Sequence, residues 1–177
     1  SVLFTSTRRN QAINDAAEEF ADLTECLIRQ STVACSCNVS EYMLLSSGVL
    51  GGSTDFARLA KQGVEYHHVS SHGGSSARTR TVSGDEFPRR DVEWLNRYEP
   101  GWRESTTPVE LPAGYYLRAD GGNQYIGLRN KPDIGSSETG KLLVPYVARP
   151  APMTSTGDEP FTVNSSVRTD LPIYHHA

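Results

Sequence analysis

The chain has little of what marks membrane proteins, secreted proteins or strongly charged proteins. No apolar run approaches the ~18 residues that a membrane-spanning helix needs. The first apolar stretch, Ser1–Phe4, is too short for a secretory signal. The formal net charge of the 177 residues is only −4, which gives no overall basic surface for nucleic acid. We therefore expect neither membrane insertion nor a general DNA-binding surface.

Cysteine is also scarce, with three residues: Cys26, Cys35 and Cys37. Cys35 and Cys37 lie two apart in an alternating pattern, where they would share one strand face and bridge each other poorly. We expect the protein to be made in a reducing compartment, with its thiols reduced and buried. A cysteine hydrolase is the least favoured function, because the neighbouring sequence suggests neither a histidine base nor an oxyanion hole.

Motifs typical of active sites and metal centres are missing as well. The sequence has no Gly-x-Ser-x-Gly turn, phosphate-binding glycine loop or dinucleotide fingerprint. His67 and His68 would point to opposite faces of a strand, and His175 and His176 have the same defect, so neither pair predicts a metal site. The sequence therefore predicts no enzyme, no cofactor and no metal.

One long helix is predicted near the N-terminus, over residues 8–30 of an N-terminal segment 1–32. Its apolar residues recur at spacings of three and four: Ile13, Ala16, Ala17, Phe20, Leu23, Leu27 and Ile28. We expect the face of Ile13, Phe20 and Leu27 to pack against other helices or subunits. The carboxylates of the other face, from Asp15 to Glu25, are typical of a solvated or inter-subunit surface. A di-iron site would need partner helices carrying Glu-x-x-His.

Residues 33–147 predict a β-rich domain. Alternating apolar residues over 33–39 indicate a half-buried strand, and 54–60 with 64–69 predict a hairpin. Residues 70–84 are rich in Ser, Gly, Thr and Arg. They predict an exposed loop that is solvated or salt-bridged to an acidic neighbouring subunit; a phosphate or DNA contact is the less favoured alternative. In the connector reading, we expect this loop to order only in the assembly.

The stretch from 91 to 150 contains both tryptophans and predicts a β-meander with a helical lid. Trp94, Leu95 and Tyr98 would share one face of a short helix over 91–98. Strands are predicted at 114–118, 124–129 and 141–147, and the turn Asp120–Asn123 supplies residues that accept positive φ in a hairpin.

The last segment, 148–177, predicts an extended arm because it is rich in Pro, Ser and Thr and lacks regular apolar spacing. Asp170 followed by Pro172 is typical of a helix start. We therefore expect the natural chain to continue past Ala177. The predicted fold class is α+β, with a long N-terminal helix and a C-terminal arm around an antiparallel middle, as a meander or a small sandwich.

The order of several short motifs resembles the head-to-tail connector (adaptor, neck) proteins of tailed bacteriophages. The motifs follow the N-terminal helix and cover most of the chain: Pro100-Gly-Trp-Arg103, Tyr115-Tyr116, Ile126–Pro132, Leu142–Tyr146 with Pro150, and Asp158-Glu-Pro160. Two features depart from the pattern. A glycine is missing before Pro112, and the long helix expected after Leu171 is absent.

The resemblance implies a structural virion protein made in the bacterial cytoplasm. Such proteins form a ring, usually of twelve copies, beneath the portal protein and join it to the tail or to a stopper protein. Their ring continues the channel through which DNA leaves, so DNA contacts the ring only in transit. In this reading the helix bundle and the C-terminal arm, 151–177, contact neighbours, and the expected contact residues are Ile13, Phe20, Leu27, Trp94, Trp102, Pro152, Phe161, Leu171 and Tyr174.

The alternative is a β-rich binding module of the tail-fibre or carbohydrate-binding type. Its tyrosines and tryptophans would form a stacking platform. The N-terminal helix and the C-terminal arm count against this reading, because a self-contained sandwich needs neither.

Overall fold

The computed structural model describes residues 5–44, 55–70, 77–103, 107–121, 123–155, 162–163 and 166–167. The chain divides into two compact units. Unit 1 contains Ser1–Arg29, Asp55–Ala60 and Tyr146–Ala177, and unit 2 contains Gln30–Thr54 and Lys61–Pro145. One long helix and many short, mostly antiparallel strands confirm the predicted α+β class.

The helices are α1 (Ser6–Thr24) and α2 (Val92–Tyr98), with a 3₁₀ turn at Gly84–Glu86. The strands are β1 (Ile28–Cys35), β2 (Glu41–Met43), β3 (Phe56–Leu59), β4 (Glu65–Ser70), β5 (Arg78–Val82), β6 (Arg89–Arg90), β7 (Tyr115–Asp120), β8 (Asn123–Leu128), β9 (Thr139–Ala148), β10 (Thr162–Val163) and β11 (Ser166–Val167).

Helix α1 begins where Thr5 caps it, since the Thr5 hydroxyl accepts a hydrogen bond from the Arg8 N–H at 3.3 Å. It ends at Thr24 because Glu25 adopts a left-handed conformation, φ 52°, which stops the helical hydrogen-bond ladder. The predicted end at Gln30 is therefore wrong. Residues 28–35 form β1 instead, as suits a run that includes Ile28, Thr32 and Val33.

In unit 1, β3 pairs antiparallel with the end of β9, from Phe56↔Ala148 to Leu59↔Tyr146. Leu27 is fully buried, and its carbonyl accepts a hydrogen bond from the Ala148 N–H at 2.8 Å. Residues 149–155 carry no helix or strand. The predicted helix start at Asp170 lies outside the described residues.

In unit 2, β4 pairs with β9 on one side, from Glu65↔Leu143 to Val69↔Thr139, and with β5 on the other. The predicted hairpin of 54–60 with 64–69 is therefore wrong, because β3 and β4 both pair with β9. The reason is burial: β9 carries Leu142, Val144 and Val147 fully buried. β9 is a central strand, with β1 on one edge and β4 on the other. β3 pairs with the part of β9 that follows the part paired with β4.

A second sheet of unit 2 has the order β2-β8-β7-β6. The predicted hairpin is confirmed, since β7 and β8 pair from Tyr115↔Leu128 to Asp120↔Asn123. The predicted meander is wrong in its third strand, because β9 pairs with β4 and not with β8.

Phe87 lies between these two groups of strands. Its ring centroid is 6.3 Å from that of Tyr66 on β4 and 5.5 Å from that of Tyr115 on β7. All three rings are buried. Stacked and tilted aromatic rings of this kind make a large contribution to a core, so Phe87 joins the two groups of strands.

Two further boundaries differ from the predictions for unit 2. The predicted loop 70–84 contains the exposed strand β5, and its residues 71–76 lie outside the described part of the chain. The strand predicted over 33–39 ends at Cys35, because Asn38 takes a positive φ of 63° in a turn.

Candidate partner-binding surfaces

Helix α1 presents an apolar stripe to solvent. Ile13, Phe20 and Leu23 are 36%, 51% and 70% exposed, while Ala17 and Ala21 on the adjacent face are buried. We call Ile13, Phe20 and Leu23 the α1 stripe. Contiguous exposed apolar side chains of this kind mark interaction surfaces. The expected contact residues Ile13 and Phe20 lie on this stripe. Leu27 lies beyond the helix and is buried, so its predicted place on that face is wrong.

Carboxylates lie around the other sides of α1 and at its end, and Glu19 lies one turn from Leu23 of the α1 stripe. Arg58 neutralises two of them, since its guanidinium lies 2.7 Å from Asp22 and 2.7 Å from Glu25. The hydrogen bonds to Glu25 and Asp22 raise the pKa of Arg58. Glu18 makes a longer, exposed contact of 3.6 Å with Arg149, a kind of pair that contributes little. Glu19 has no ion pair with any described residue, so the flank keeps negative charge.

A groove of about 430 Å³ lies beside the carboxylates of α1 in unit 1. Its floor is apolar, with Ala21, Ala57 and Val147, and its rim carries Glu18 and Arg149. The groove is thus a mixed surface on another side of α1, and none of the residues of the α1 stripe lines it.

Asn14 of α1 holds the described part of the arm at Met153. The Asn14 amide donates to the Met153 carbonyl at 3.2 Å, and its oxygen accepts from the Met153 N–H at 2.8 Å. This two-point contact leaves Pro152, an expected contact residue, exposed beside α1. No sequence pattern indicated it, because an asparagine in a helix has many possible partners.

Arg90 of β6 stacks on Trp94 of helix α2, which in turn packs against Tyr98, and we call these three residues the α2 ladder. The Arg90 guanidinium lies 4.7 Å from the Trp94 ring centroid, and the Trp94 and Tyr98 centroids are 5.3 Å apart. Tyr98 is 61% exposed. The predicted shared face of α2 is wrong for Leu95, which is fully buried in unit 2 while the two aromatic rings lie towards solvent.

Trp102 lies just after α2 and is also packed. Its ring meets the Tyr116 ring edge-on at 4.7 Å, and Arg103 lies 4.9 Å from its centroid. Its indole N–H donates to Asn96 Oδ1 at 2.9 Å. Both tryptophans therefore already have side chains against their rings.

Ion pairs fix the strands next to this surface. Glu41 accepts hydrogen bonds from Arg118 Nη2 at 2.8 Å and from the Tyr116 hydroxyl at 2.8 Å. The Arg118 hydrogen bond holds the pKa of Glu41 below its ordinary value, although partial burial opposes the shift. Arg129 pairs with Glu99 at 2.6 Å at the end of α2. These contacts tie β2 to β7, and the end of α2 to the residue that follows β8.

The described cysteines and histidines are Cys26, Cys35, Cys37, His67 and His68. Burial raises the pKa of the Cys35 thiol to about 11. Cys37 is exposed, so the predicted burial of the thiols is wrong for this residue, which lies in the turn after β1. His68 is fully buried, with Nε2 3.4 Å from Glu138. Among the described residues, no group of three or more His, Cys, Asp or Glu side chains is placed to hold a metal ion.

The other expected contacts lie at the end of the chain. Phe161, Leu171 and Tyr174 fall outside the described residues. In the described part of the chain, no helix is long and apolar enough to cross a membrane.

Comparison with known proteins identifies the family. No curated protein matches the chain at a significant level. The profile of the SU10 adaptor protein family matches residues 4–177, which includes the α1 stripe, the α2 ladder and the arm. The chain therefore belongs to the SU10 adaptor protein family, and it is a structural adaptor protein of a phage virion.

Proposed function

We propose that the chain is a head-to-tail connector. Copies of it form a ring, of twelve as the resemblance implies, beneath the portal protein. The ring joins the portal to the tail or to a stopper protein and continues the DNA channel. Family membership supports an adaptor role. The observation that carries the proposal of assembly is the α1 stripe, where Leu23 is 70% exposed.

The exposed stripe supports assembly on energetic grounds. Burying one large apolar side chain contributes roughly 1.5–3 kcal/mol. A stripe of three such residues on one helix face offers a partner several such contributions. An isolated protein gains nothing from this exposure, whereas an adaptor gains a docking surface.

The charge of the chain suits the passage of DNA. A surface that binds duplex DNA tightly must neutralise phosphates with Lys and Arg. The net charge of −4, with acidic residues on α1, provides no such surface. We propose that DNA passes through the ring without being held, that the chain catalyses no reaction, and that it is made in the bacterial cytoplasm.

The carbohydrate-binding alternative is weaker because of the tryptophan environments. A sugar stacks on an accessible aromatic face. Trp94 has Arg90 and Tyr98 against its ring, and Trp102 has Arg103 and Tyr116. A sugar would have to displace these neighbours before it could stack.

Native mass spectrometry of the chain, alone and with a purified portal ring, tests the proposal. We expect a closed ring of many copies bound to the portal, with no quenching of tryptophan fluorescence by sugars. Leu23→Asp should reduce portal-bound ring formation, while Val39→Asp, at a 40% exposed site in a turn, should leave it unchanged. A chain that never joins a portal, but whose fluorescence is quenched by a sugar, would favour the binding module instead.

A further inference from the structure

We propose that the α1 stripe of one copy docks on the α2 ladder of the next copy. This inference rests on the proposed function in one respect, namely that copies of the chain assemble. It adds which two surfaces meet, and it makes their contact the repeated unit of the assembly.

The exposed apolar residues indicate these two surfaces. Five large hydrophobic residues are exposed in the described part of the chain. Three form the α1 stripe, one is Tyr98 on the α2 ladder, and the last is Val39 in a turn. Aliphatic side chains on one surface and an exposed tyrosine on the other can bury each other.

The charges around the two surfaces are complementary. Glu19 beside the α1 stripe has no ion pair within the described residues. Arg97, next to Tyr98 in the last turn of α2, is exposed and likewise has no ion pair with a described residue. Asp91 and Glu93 lie at the start of α2, where Arg90 stacks on Trp94, while the last turn, next to Tyr98, carries the basic Arg97. Complementary charges of this kind set partner choice and register.

The same charges disfavour the simplest alternative, in which α1 packs on α1 of another copy. That contact would bring the Glu19 side chains of the two copies, which lie one turn from Leu23, to one interface. Like charges brought together across an interface cost several kcal/mol. A basic, aromatic surface is the better partner for an acidic, aliphatic one.

Two different surfaces give a heterologous contact, because each copy offers its α1 stripe to one neighbour and its α2 ladder to the other. Such contacts generate closed rings when the rotation closes. Tyr98 and Arg97 are the residue types that most often dominate interface energies. We therefore expect binding to depend on these two positions more than on the rim of the interface.

A charge exchange in the full chain tests the pairing. Glu19→Arg alone and Arg97→Glu alone should each raise the midpoint concentration of assembly about tenfold. In the double variant, the logarithm of the midpoint concentration should return at least halfway to that of the parent protein. Lys141→Glu, on an exposed position of β9, is the matched control and should assemble as the parent protein does. Thermal unfolding of each variant checks that it is folded.

Crosslinking gives an independent readout of the same contact. A photoreactive phenylalanine analogue at position 98 is introduced in ¹⁵N-labelled chains, which are mixed with unlabelled chains. We expect labelled-to-unlabelled crosslinks to the peptide that contains Leu23. If the parent chain assembles but both charge variants do so equally well, and position 98 crosslinks elsewhere, this inference is overturned while the proposed function stands. If the parent chain does not assemble, alone or with a portal ring, the proposed function fails and the pairing fails with it.

Discussion

Gly127 is the residue at which the smallest change should have a large effect. A Cβ atom on Gly127 would lie 2.0 Å from Cζ of Tyr116, whose ring is buried against Trp102. The Tyr116 hydroxyl is also held by Glu41 at 2.8 Å, so the ring has little freedom to move away.

Gly127→Ala should therefore lower the free energy of unfolding by about 1–3 kcal/mol, the usual cost of overpacking. Urea unfolding followed by tryptophan fluorescence measures it. Gly135→Ala is the control, since its Cβ would meet only the flexible end of Glu138, at 3.2 Å. Equal stability of Gly127→Ala and the parent protein would show that the Tyr116 ring is not confined as described.

Glu41 should make the free energy of unfolding depend on pH. Its pKa in the folded chain lies below the ordinary value of 4.5, mainly because of the Arg118 hydrogen bond. A lowered pKa means that the carboxylate stabilises the fold above about pH 4.5, and that this contribution is lost as the pH falls through the folded-state value. At pH 7, Glu41→Gln should have a lower free energy of unfolding than the parent protein. The difference between the two should become smaller below pH 4.5.

Urea midpoints measured from pH 7 to pH 3 check this expectation. Glu93→Gln is a suitable control, because Glu93 is exposed and forms no ion pair with a described residue. A gap between Glu41→Gln and the parent that stays constant over the whole range would contradict the assigned role of the Glu41–Arg118 pair.

The cysteines should differ in reactivity. Since burial raises the pKa of Cys35 to about 11 from an ordinary 9.0, about 100-fold fewer Cys35 thiols are ionised at pH 8 than in an ordinary cysteine. Maleimide labelling with peptide mapping should therefore modify the exposed Cys37 long before Cys35, and both at similar rates in urea. Labelling of Cys35 at the rate of Cys37 in the folded chain would contradict the buried site.

At the scale of elements, the sequence predicted what local signals specify. Helix α2 and the β7–β8 hairpin each depend on residues close together in the chain. Helix α1 was also predicted, although it begins at Ser6, two residues before the predicted start at Arg8. Asp120–Asn123 is the clearest case, because Gly121 has the positive φ of 55° that such a turn requires. In these segments, the spacing of polar and apolar residues indicates clearly whether the chain forms a helix or a strand.

Long-range pairings could not be predicted in the same way. Leu27 and Ile28 fit the helical spacing of α1, yet Glu25 ends the helix before them. The alternation of β3 and β4 indicates strands, but nothing in it shows that both pair with β9 and not with each other. The clamp of Asn14 on Met153 is equally non-local. Of the candidate surfaces, the α1 stripe was predictable, whereas the stacking of Arg90 on Trp94 was not.

The end of α1 provides a test at this scale. Leu27→Ala removes a fully buried side chain and should cost about 2–5 kcal/mol of unfolding free energy. Leu23→Ala, four residues earlier and 70% exposed, should change it by no more than about 0.5 kcal/mol in the isolated chain. Urea unfolding below the concentration of assembly measures both. Equal effects would contradict the helix end at Thr24.

At the scale of the whole molecule, each unit carries one candidate docking surface. Unit 1 has the α1 stripe, with the arm clamped by Asn14 on another side of α1, and unit 2 has the α2 ladder near the ion pairs of Glu41 and Glu99. The sequence-based division into a helix, a β-rich middle and an arm stays a prediction. A chain with two unlike surfaces is suited to repeat in a ring, which is what the proposed connector requires.

Electron cryo-microscopy of the chain reconstituted with its portal ring tests the central claim most directly. The proposal predicts a closed ring of copies coaxial with the portal, with a central channel wide enough to pass duplex DNA and the α1 stripe covered by a neighbouring copy. Copies scattered on the outside of the portal without a shared channel, or a portal with no added density, would contradict it.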